Sequence, residues 1–445
     1  MAVEDIVEPD SWERRHIDRL AATVALVVPL GIIGFVDRAY GVSLLGCALF
    51  VLLVMKLSIA RHVRNRTARY PALTRHLRVT IVMPMHNEDP EFAVAAVISM
   101  LDQSRSASHL HVIDDGSTDG GAAADAIEAA LRYHAYDGTW TLTRLPENVG
   151  KRAALAIGFR SHPDADVFLC VDSDTVLDEH AIAAGLQPFA DERTTGVAGF
   201  VSAYNWSQNV LTRLIDLRYV SAFLAERAAY SFFGAVLCCC GSLAFYRADV
   251  VRDNLDDFLD QRFLGRVATY GDDRRLTNYA LRSGRVVLCS RARASTAVPE
   301  RFGHYLRQQV RWNKSFIRES LWVLGTFPLS ANAFWLTLCE VFTWVIVSAL
   351  FGFTLVIWPF TRESRVFFPF VALIALAAYA RNAVYLHDSR RTLRLRDRLT
   401  IFALAPLYGV LHLLVLTPLR FWSLVTLRQT RWGTRRRVEV RFART

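Results

Sequence analysis

Apolar residues are spread unevenly along the chain. Leu20–Val36 holds 17 residues without a charge, and Val42–Ala60 holds 19 with Lys56 alone near its far end. A bilayer core of about 30 Å takes about 20 apolar residues in helical form, so both runs predict spanning helices. Ala333–Phe360, with Glu340 inside it, and Val366–Leu386, with Arg381 near its end, predict two more, joined by the polar turn Thr361–Arg365. The last run, Ile401–Leu427, is too short for two full spans and is broken by Pro406 and Pro418. A pair of short, proline-broken or re-entrant helices is the expectation there, since broken backbone at membrane depth lines a cavity.

Between these runs the period changes. Arg78–Met83, His109–Ile113, Trp140–Leu145 and Asp166–Val171 read as strands, the first ending at Pro84. Phe92–Leu101, Ala122–His134, Lys151–Arg160 and Leu276–Leu281 read as helices. Strands separated by helices of about ten residues predict a parallel, doubly wound α/β sheet with helices on both faces. Ligands bind such sheets outside the carboxyl ends of the strands. The expected organisation is an N-terminal tail over 1–19, two transmembrane helices over 20–60, an α/β domain over 61–300, amphipathic interface helices over 301–330, a transmembrane region over 331–427 and a basic tail over 428–445.

Charge orients this frame. The chain has 445 residues and a formal net charge of +10. The excess gathers beside the apolar runs, at Arg61–Arg78, Arg390–Arg398 and Arg428–Arg444. By the positive-inside rule these segments are cytoplasmic, which makes the central domain cytoplasmic and the protein a multi-pass component of the cell membrane. Anionic lipid headgroups account for the basic excess. Nucleic-acid binding is not expected, because no helix-turn-helix, zinc finger or aromatic RNA-binding signature accompanies the charge. The seven cysteines show neither CxxC nor Cys/His ligand spacing, so neither disulfides nor zinc is indicated, and the run Cys238-Cys239-Cys240 reads as small apolar packing.

The strand ends carry the candidate chemistry. Asp114-Asp115-Gly116-Ser117 follows the second strand and Asp172-Ser173-Asp174 the fourth. Carboxylates two residues apart at a strand end suit Mg²⁺ or Mn²⁺ bridging a diphosphate, although the triplet alone is a weak signal. Pro84-Met85-His86-Asn87-Glu88 closes the first strand, and Asn148-Val149-Gly150-Lys151-Arg152 opens a helix where a cation and free N–H groups can meet phosphate. Gly271-Asp272-Asp273-Arg274 and Gln308-Gln309-Val310-Arg311-Trp312 complete the set.

In this order the motifs resemble those of family 2 inverting glycosyltransferases of the GT-A nucleotide-sugar fold. Longer strings resemble bacterial class I hyaluronan synthases: Leu211–Asp216, Glu226-Arg227-Ala228-Ala229, Gly271–Ala280, Arg311–Phe316, Pro406–Leu413 and Trp432-Gly433-Thr434-Arg435. The likeness runs from about residue 78 to 437. One stretch departs from it. Where that family has S-G-P-L, this chain has Cys240-Gly241-Ser242-Leu243, and Gly234–Gly241 is similar to chitin-oligosaccharide synthases.

The resemblance implies processive polymerisation of UDP-glucuronate and UDP-N-acetylglucosamine, with the growing polysaccharide secreted through the enzyme's own helices. The alternative is a β-1,4-N-acetylglucosaminyl (chitin-oligosaccharide) synthase. A transporter without catalysis is disfavoured by the intact acidic motifs. The resemblance also assigns roles. Asp273 is the base with Asp272 beside it, and Asp174 leads the metal ligands with Asp172. Asn87, Glu88, Asp115, Lys151, Asp172 and Arg311 hold UDP. Cys240, Gly241, Ser242, Gln308 and Trp312 hold the acceptor, and Trp432–Arg435 closes over bound nucleotide.

Overall fold

The computed structural model describes residues 53–61, 74, 76–352, 367–387 and 393–429. Most of the two N-terminal runs, the turn at 361–365 and the segment Trp432–Arg435 lie outside the described residues, as do the basic stretches 62–73 and 430–445.

Ten strands are described. They are β1 (Val79–Met85), β2 (His109–Asp114), β3 (Thr139–Arg144), β4 (Val167–Cys170), β5 (Thr175–Leu177), β6 (Thr194–Ala203), β7 (Ala244–Arg247), β8 (Arg262–Phe263), β9 (Arg266–Val267) and β10 (Arg285–Thr296). Eight form one sheet in the order β3-β2-β1-β4-β7-β6-β10-β5, while β8 and β9 make a separate ribbon. The half from β3 to β4 is parallel, as the alternation of strands and helices predicts. The whole sheet is not. Strand β7 runs antiparallel to both β4 and β6, and β5 antiparallel to β10, so the expected parallel sheet is corrected to a mixed GT-A sheet. The physical reason is a long return: β7 is a four-residue strand that the chain lays between β4 and β6 after leaving the sheet for the helical stretch Val210–Phe232.

Central position explains the apolar runs. Every residue of β1, β4 and β6 is buried, as expected of strands covered on both faces, whereas edge strand β3 keeps exposed positions. Each fully buried Val, Ile or Phe there contributes about 1.5–3 kcal/mol. Pro84 does not end β1. Pairing with β2 continues through Pro84–Ile113 and Met85–Asp114, while pairing with β4 stops at Val82–Cys170. The missing proline N–H therefore falls beyond the last β4 partner.

The chain winds outward from β1 to β2 and β3, then returns to β4 on the other side of β1. That reversal opens a crevice between the ends of β1 and β4, the place where nucleotides bind in open α/β sheets. The helix Pro90–Leu101 starts beside it, capped by Asp89, whose carboxylate accepts from Phe92 N at 3.1 Å, with Pro90 in the first turn.

Below the sheet lies the 25-residue helix Phe302–Thr326, followed by Asn332–Gly352 and Phe367–Asn382. Leu395–Val425 is one 31-residue helical run, long and apolar enough to cross a membrane, and the only such helix among the described residues. Within this run the helical segments are short, Leu395–Ala403, Ala405–Leu411 with Pro406 in its first turn, and Thr417–Val425 with Pro418 in its first turn, the last preceded by a π-helical turn at His412–Leu416.

Candidate active site

Four loops meet at the crevice. After β1, Asn87 adopts φ 49°, a left-handed conformation that Asn tolerates better than most residues. Its amide oxygen accepts from Thr118 N at 2.7 Å, and its own N–H donates to Ser117 Oγ at 2.9 Å, so the loops after β1 and β2 are stitched together. Glu88 is buried and accepts from Ser173 Oγ at 2.7 Å, bridging the crevice from β1 to the Asp172–Asp174 loop. Asp115 is buried too. Its carboxylate takes N–H groups from Val149 at 2.7 Å and Gly150 at 3.0 Å, and Asn148 Nδ2 at 3.1 Å. Burial lifts the Asp115 pKa above the ordinary carboxylate value, although the Val149 and Gly150 donors pull the other way.

Lys151 follows that loop but turns away from Asp115. Its ammonium donates to Asp172 Oδ1 and lies 3.7 Å from Asp272 Oδ2. Burial works against its charge, yet Asp172, Asp272 and Asp273 outweigh that effect and hold its pKa well above the usual lysine range. The structure therefore places Lys151 with the acids rather than with Asp115. Asp172 also accepts from Ser242 Oγ at 2.9 Å. Gly241 passes so close that an added Cβ would stand 3.2 Å from Lys151 Nζ, so the acceptor segment and the nucleotide loop share one wall. Asp174 turns the opposite way, its Oδ1 accepting from Thr296 Oγ1 at 3.1 Å at the end of β10.

The second acidic pair opens the helix Asp272–Ser283, where the macrodipole favours negative charge. Gly271 before it has φ +84°, and an added Cβ would stand 2.2 Å from Ser315 Oγ, so only glycine fits. The two acids face different surroundings. Asp272 looks to Lys151. Asp273 accepts from its neighbour Arg274 N at 2.8 Å and from the Cys238 thiol at 3.5 Å. Burial and the adjacent Asp272 raise the Asp273 pKa, with Arg274 and Lys151 opposing. A cavity joins these groups, lined by Lys151, Asp172, Gly241, Tyr246, Asp272 and Asp273 among others.

Arg311 and Trp312 sit on the helix Phe302–Thr326. Trp312 is 44% exposed, which leaves its face open to a sugar. Its ring lies 6.3 Å from that of Tyr219, a residue the motifs did not flag. Burial raises the Tyr219 pKa well above the usual phenol value, with Cys240, Asp174 and Asp172 adding to it. Gln308 Oε1 is buried with no hydrogen-bond partner among the described residues. Cys240 Sγ lies 3.6 Å from Ser242 Oγ, and Cys239 is packed in the core. Cys238 is more than packing, because its thiol meets Asp273; no sequence signal distinguishes it from its two neighbours.

A nucleotide crevice at the reversal of a mixed sheet, with carboxylates on two facing loops, defines a glycosyltransferase of the GT-A class. The model for "Glycosyl transferase family 2" matches residues 80–255. A hyaluronan synthase of Streptococcus pyogenes is 39% identical over 370 residues, covering 82% of this chain and 84% of that one. An N-acetylglucosaminyltransferase of Neorhizobium galegae is 34% identical over 364 residues, covering 80% of each. The chain belongs to the hyaluronan synthase family of family 2 glycosyltransferases. Among solved structures, a mannosyltransferase from Pyrobaculum calidifontis in complex with GDP-Man and Mn2+ superposes with TM-score 0.51 at 16% identity, covering 93% of this chain and 99% of that one, a likeness of fold.

Proposed function

We infer that the chain is a membrane-embedded, processive, inverting hyaluronan synthase that joins UDP-glucuronate and UDP-N-acetylglucosamine and passes the polymer outward through its own helices. The observation that carries this reading is the 39% identity to the streptococcal enzyme, which extends over 370 residues and so beyond the catalytic domain into the helices that follow it. The catalytic domain faces the cytoplasm, and the basic segments rest on anionic lipid.

Inversion takes one in-line displacement. The acceptor hydroxyl attacks the anomeric carbon, its proton passes to Asp273, and the bond from that carbon to UDP breaks. A raised pKa suits Asp273 to accept a proton near neutrality. Asp272, held against Lys151, keeps a second charge nearby that sustains the shift. Asn87, Glu88, Asp115, Lys151 and Asp172 line the UDP crevice. Arg311 offers its cation to the departing diphosphate. Trp312, with Gln308 and the Cys240–Ser242 segment, holds the acceptor sugar, and Trp432–Arg435 closes over bound nucleotide.

Among the described residues no three His, Cys, Asp or Glu side chains converge as a metal cage. This fits Mg²⁺ or Mn²⁺, which binds nucleotide enzymes through one or two carboxylates and completes its shell with phosphate oxygens and water. Asp174, with Asp172, would hold it. Once bound, the cation neutralises charge developing on the diphosphate.

The Asp273 assignment has a pH signature. A base must be deprotonated, so activity falls as pH drops through its raised pKa, and the acid limb lies above the ordinary aspartate value. The Cys238 thiol donates to the carboxylate and so favours its charged form. Cys238→Val removes that donor, raises the pKa further and moves the acid limb to higher pH; an unmoved limb in kcat against pH shows the contact to be idle.

One feature favours a second reading, a β-1,4-N-acetylglucosaminyl synthase: the run Gly234–Gly241, together with 34% identity to the Neorhizobium enzyme. Membranes given one UDP-sugar at a time separate the two. A hyaluronan synthase elongates a long polymer only with both sugars. Long polymer from UDP-N-acetylglucosamine alone establishes the second reading instead.

A further inference from the structure

We propose that Glu319 is a positioning residue that fixes the Gly271–Asp273 turn against the interface helix, so that Asp273 meets the acceptor sugar rather than water. The proposal rests on the reading of Asp273 as base and Trp312 as acceptor platform.

Glu319 is 2% exposed and lies seven residues beyond Trp312, two turns along the same helix. A buried carboxylate is costly unless every lone pair is met, and here both oxygens are. Oε2 accepts from Asn278 Nδ2 at 3.2 Å and forms an ion pair with Arg275, whose Nε lies 3.0 Å away, both on the helix that Asp272 and Asp273 begin. Oε1 accepts from Arg318 Nε at 2.8 Å and Gln261 Nε2 at 2.5 Å.

Arg318 carries the connection onward. Its Nη2 donates to the carbonyl of Tyr270, the residue before Gly271, and its guanidinium lies 5.5 Å over the Tyr270 ring. Arg275 is clamped in turn, 4.3 Å over Trp322 of the interface helix. Two cations thus hold the acidic turn from either side, and one carboxylate sets both. The tolerance is small, because Gly271 has no room for a Cβ between Ser315 and Arg318. None of these groups lines the crevice cavity, so Glu319 acts through the turn and not on substrate.

Loss of the carboxylate frees the turn to drift from the helix that bears Trp312. Asp272 of the turn lies 3.7 Å from Lys151, so the acid end of the crevice shifts with the turn while the loops bearing Asn87, Glu88 and Asp115 still hold UDP. When the sugar hydroxyl is out of reach, water attacks the anomeric carbon of the bound UDP-sugar instead; the bond to UDP breaks, free sugar forms, and the water proton passes to Asp273 or solvent. Displacement of about 1 Å costs on the order of 100-fold in rate.

The test uses membranes holding the full chain and compares UDP released with sugar incorporated. In Glu319→Gln, which keeps shape and loses charge, incorporation falls about 100-fold, UDP affinity falls far less than incorporation does, and UDP released per sugar incorporated rises about tenfold. A ratio that stays at the wild-type value, or incorporation that does not fall, overturns the proposal. Arg318→Lys keeps the charge yet cannot span Glu319 and the Tyr270 carbonyl, and is expected to raise the same ratio; it decides the matter if Glu319→Gln does not accumulate as folded, UDP-binding protein. Wild-type membranes that release UDP without incorporating sugar overturn the synthase reading itself, a failure distinct from an unchanged ratio in the variants.

Discussion

Asp273→Asn is expected to bind UDP normally and to make no measurable polymer. The substitution preserves size and leaves the helix start intact, but an amide cannot take the acceptor proton. Removal of a positioned base costs about 100- to 10,000-fold, which corresponds to about 3–5 kcal/mol of barrier. The environment sets the two adjacent acids apart: Asp273 meets the Cys238 thiol and has a raised pKa, whereas Asp272 is buried and lies 3.7 Å from Lys151. Asp272→Asn should therefore weaken rather than abolish turnover, by changing the field on Asp273. Polymer synthesis by purified Asp273→Asn at a rate near wild type would assign the base elsewhere.

Chelation is expected to have an effect of comparable size. EDTA should stop incorporation, and added Mg²⁺ or Mn²⁺ should restore it, because Asp174 and Asp172 would hold a cation that offsets charge on the departing diphosphate. Asp174→Ala should raise the metal concentration for half-maximal rate about 10- to 100-fold. Asp174 is held by Thr296 at the end of β10, so Thr296→Val should move the same quantity in the same direction by less. Activity that persists in EDTA contradicts the metal role, whatever the mutants do.

The parallel half of the domain was readable from apolar runs because β1, β2 and β4 are covered on both faces and their helices carry a 3.6-residue period. The other half was not. Strand β7 is four residues long, and β6 carries two glycines and small polar residues that leave no period, although all ten positions are buried. The direction of β7 depends on a long excursion through Val210–Phe232, which no local signal encodes. The acids Asp172, Asp174, Asp272 and Asp273 were visible as motifs at strand and helix ends, and the fold brings Asp172, Asp272 and Asp273 to one cavity while Asp174 meets Thr296. The partners that distinguish them were not visible. Lys151 turning to Asp172, Cys238 reaching Asp273 and Tyr219 standing beside Trp312 are contacts between residues distant in sequence. Glu319 belongs to no motif, and its burial and its partners Gln261, Asn278 and Arg318 are visible only in the fold.

Charge belongs to the same account. Arg218 and Arg381 close on the half-buried Glu226, and Tyr385 donates to the buried Asp216 at 2.6 Å, so the helix Val210–Ser221 and the π-helical turn after it are pinned to the segment following Phe367. These pairs fix the catalytic domain on the helices through which the product is proposed to leave.

The proposed polymerisation of two different sugars into hyaluronan can be observed in its product. The direct measurement is the product made by membranes holding the chain when both UDP-sugars are supplied, digested with a hyaluronan-specific lyase. The account predicts a long polymer that the lyase reduces to unsaturated disaccharides of equal glucuronate and N-acetylglucosamine content. A polymer that resists the lyase and contains N-acetylglucosamine alone would contradict it.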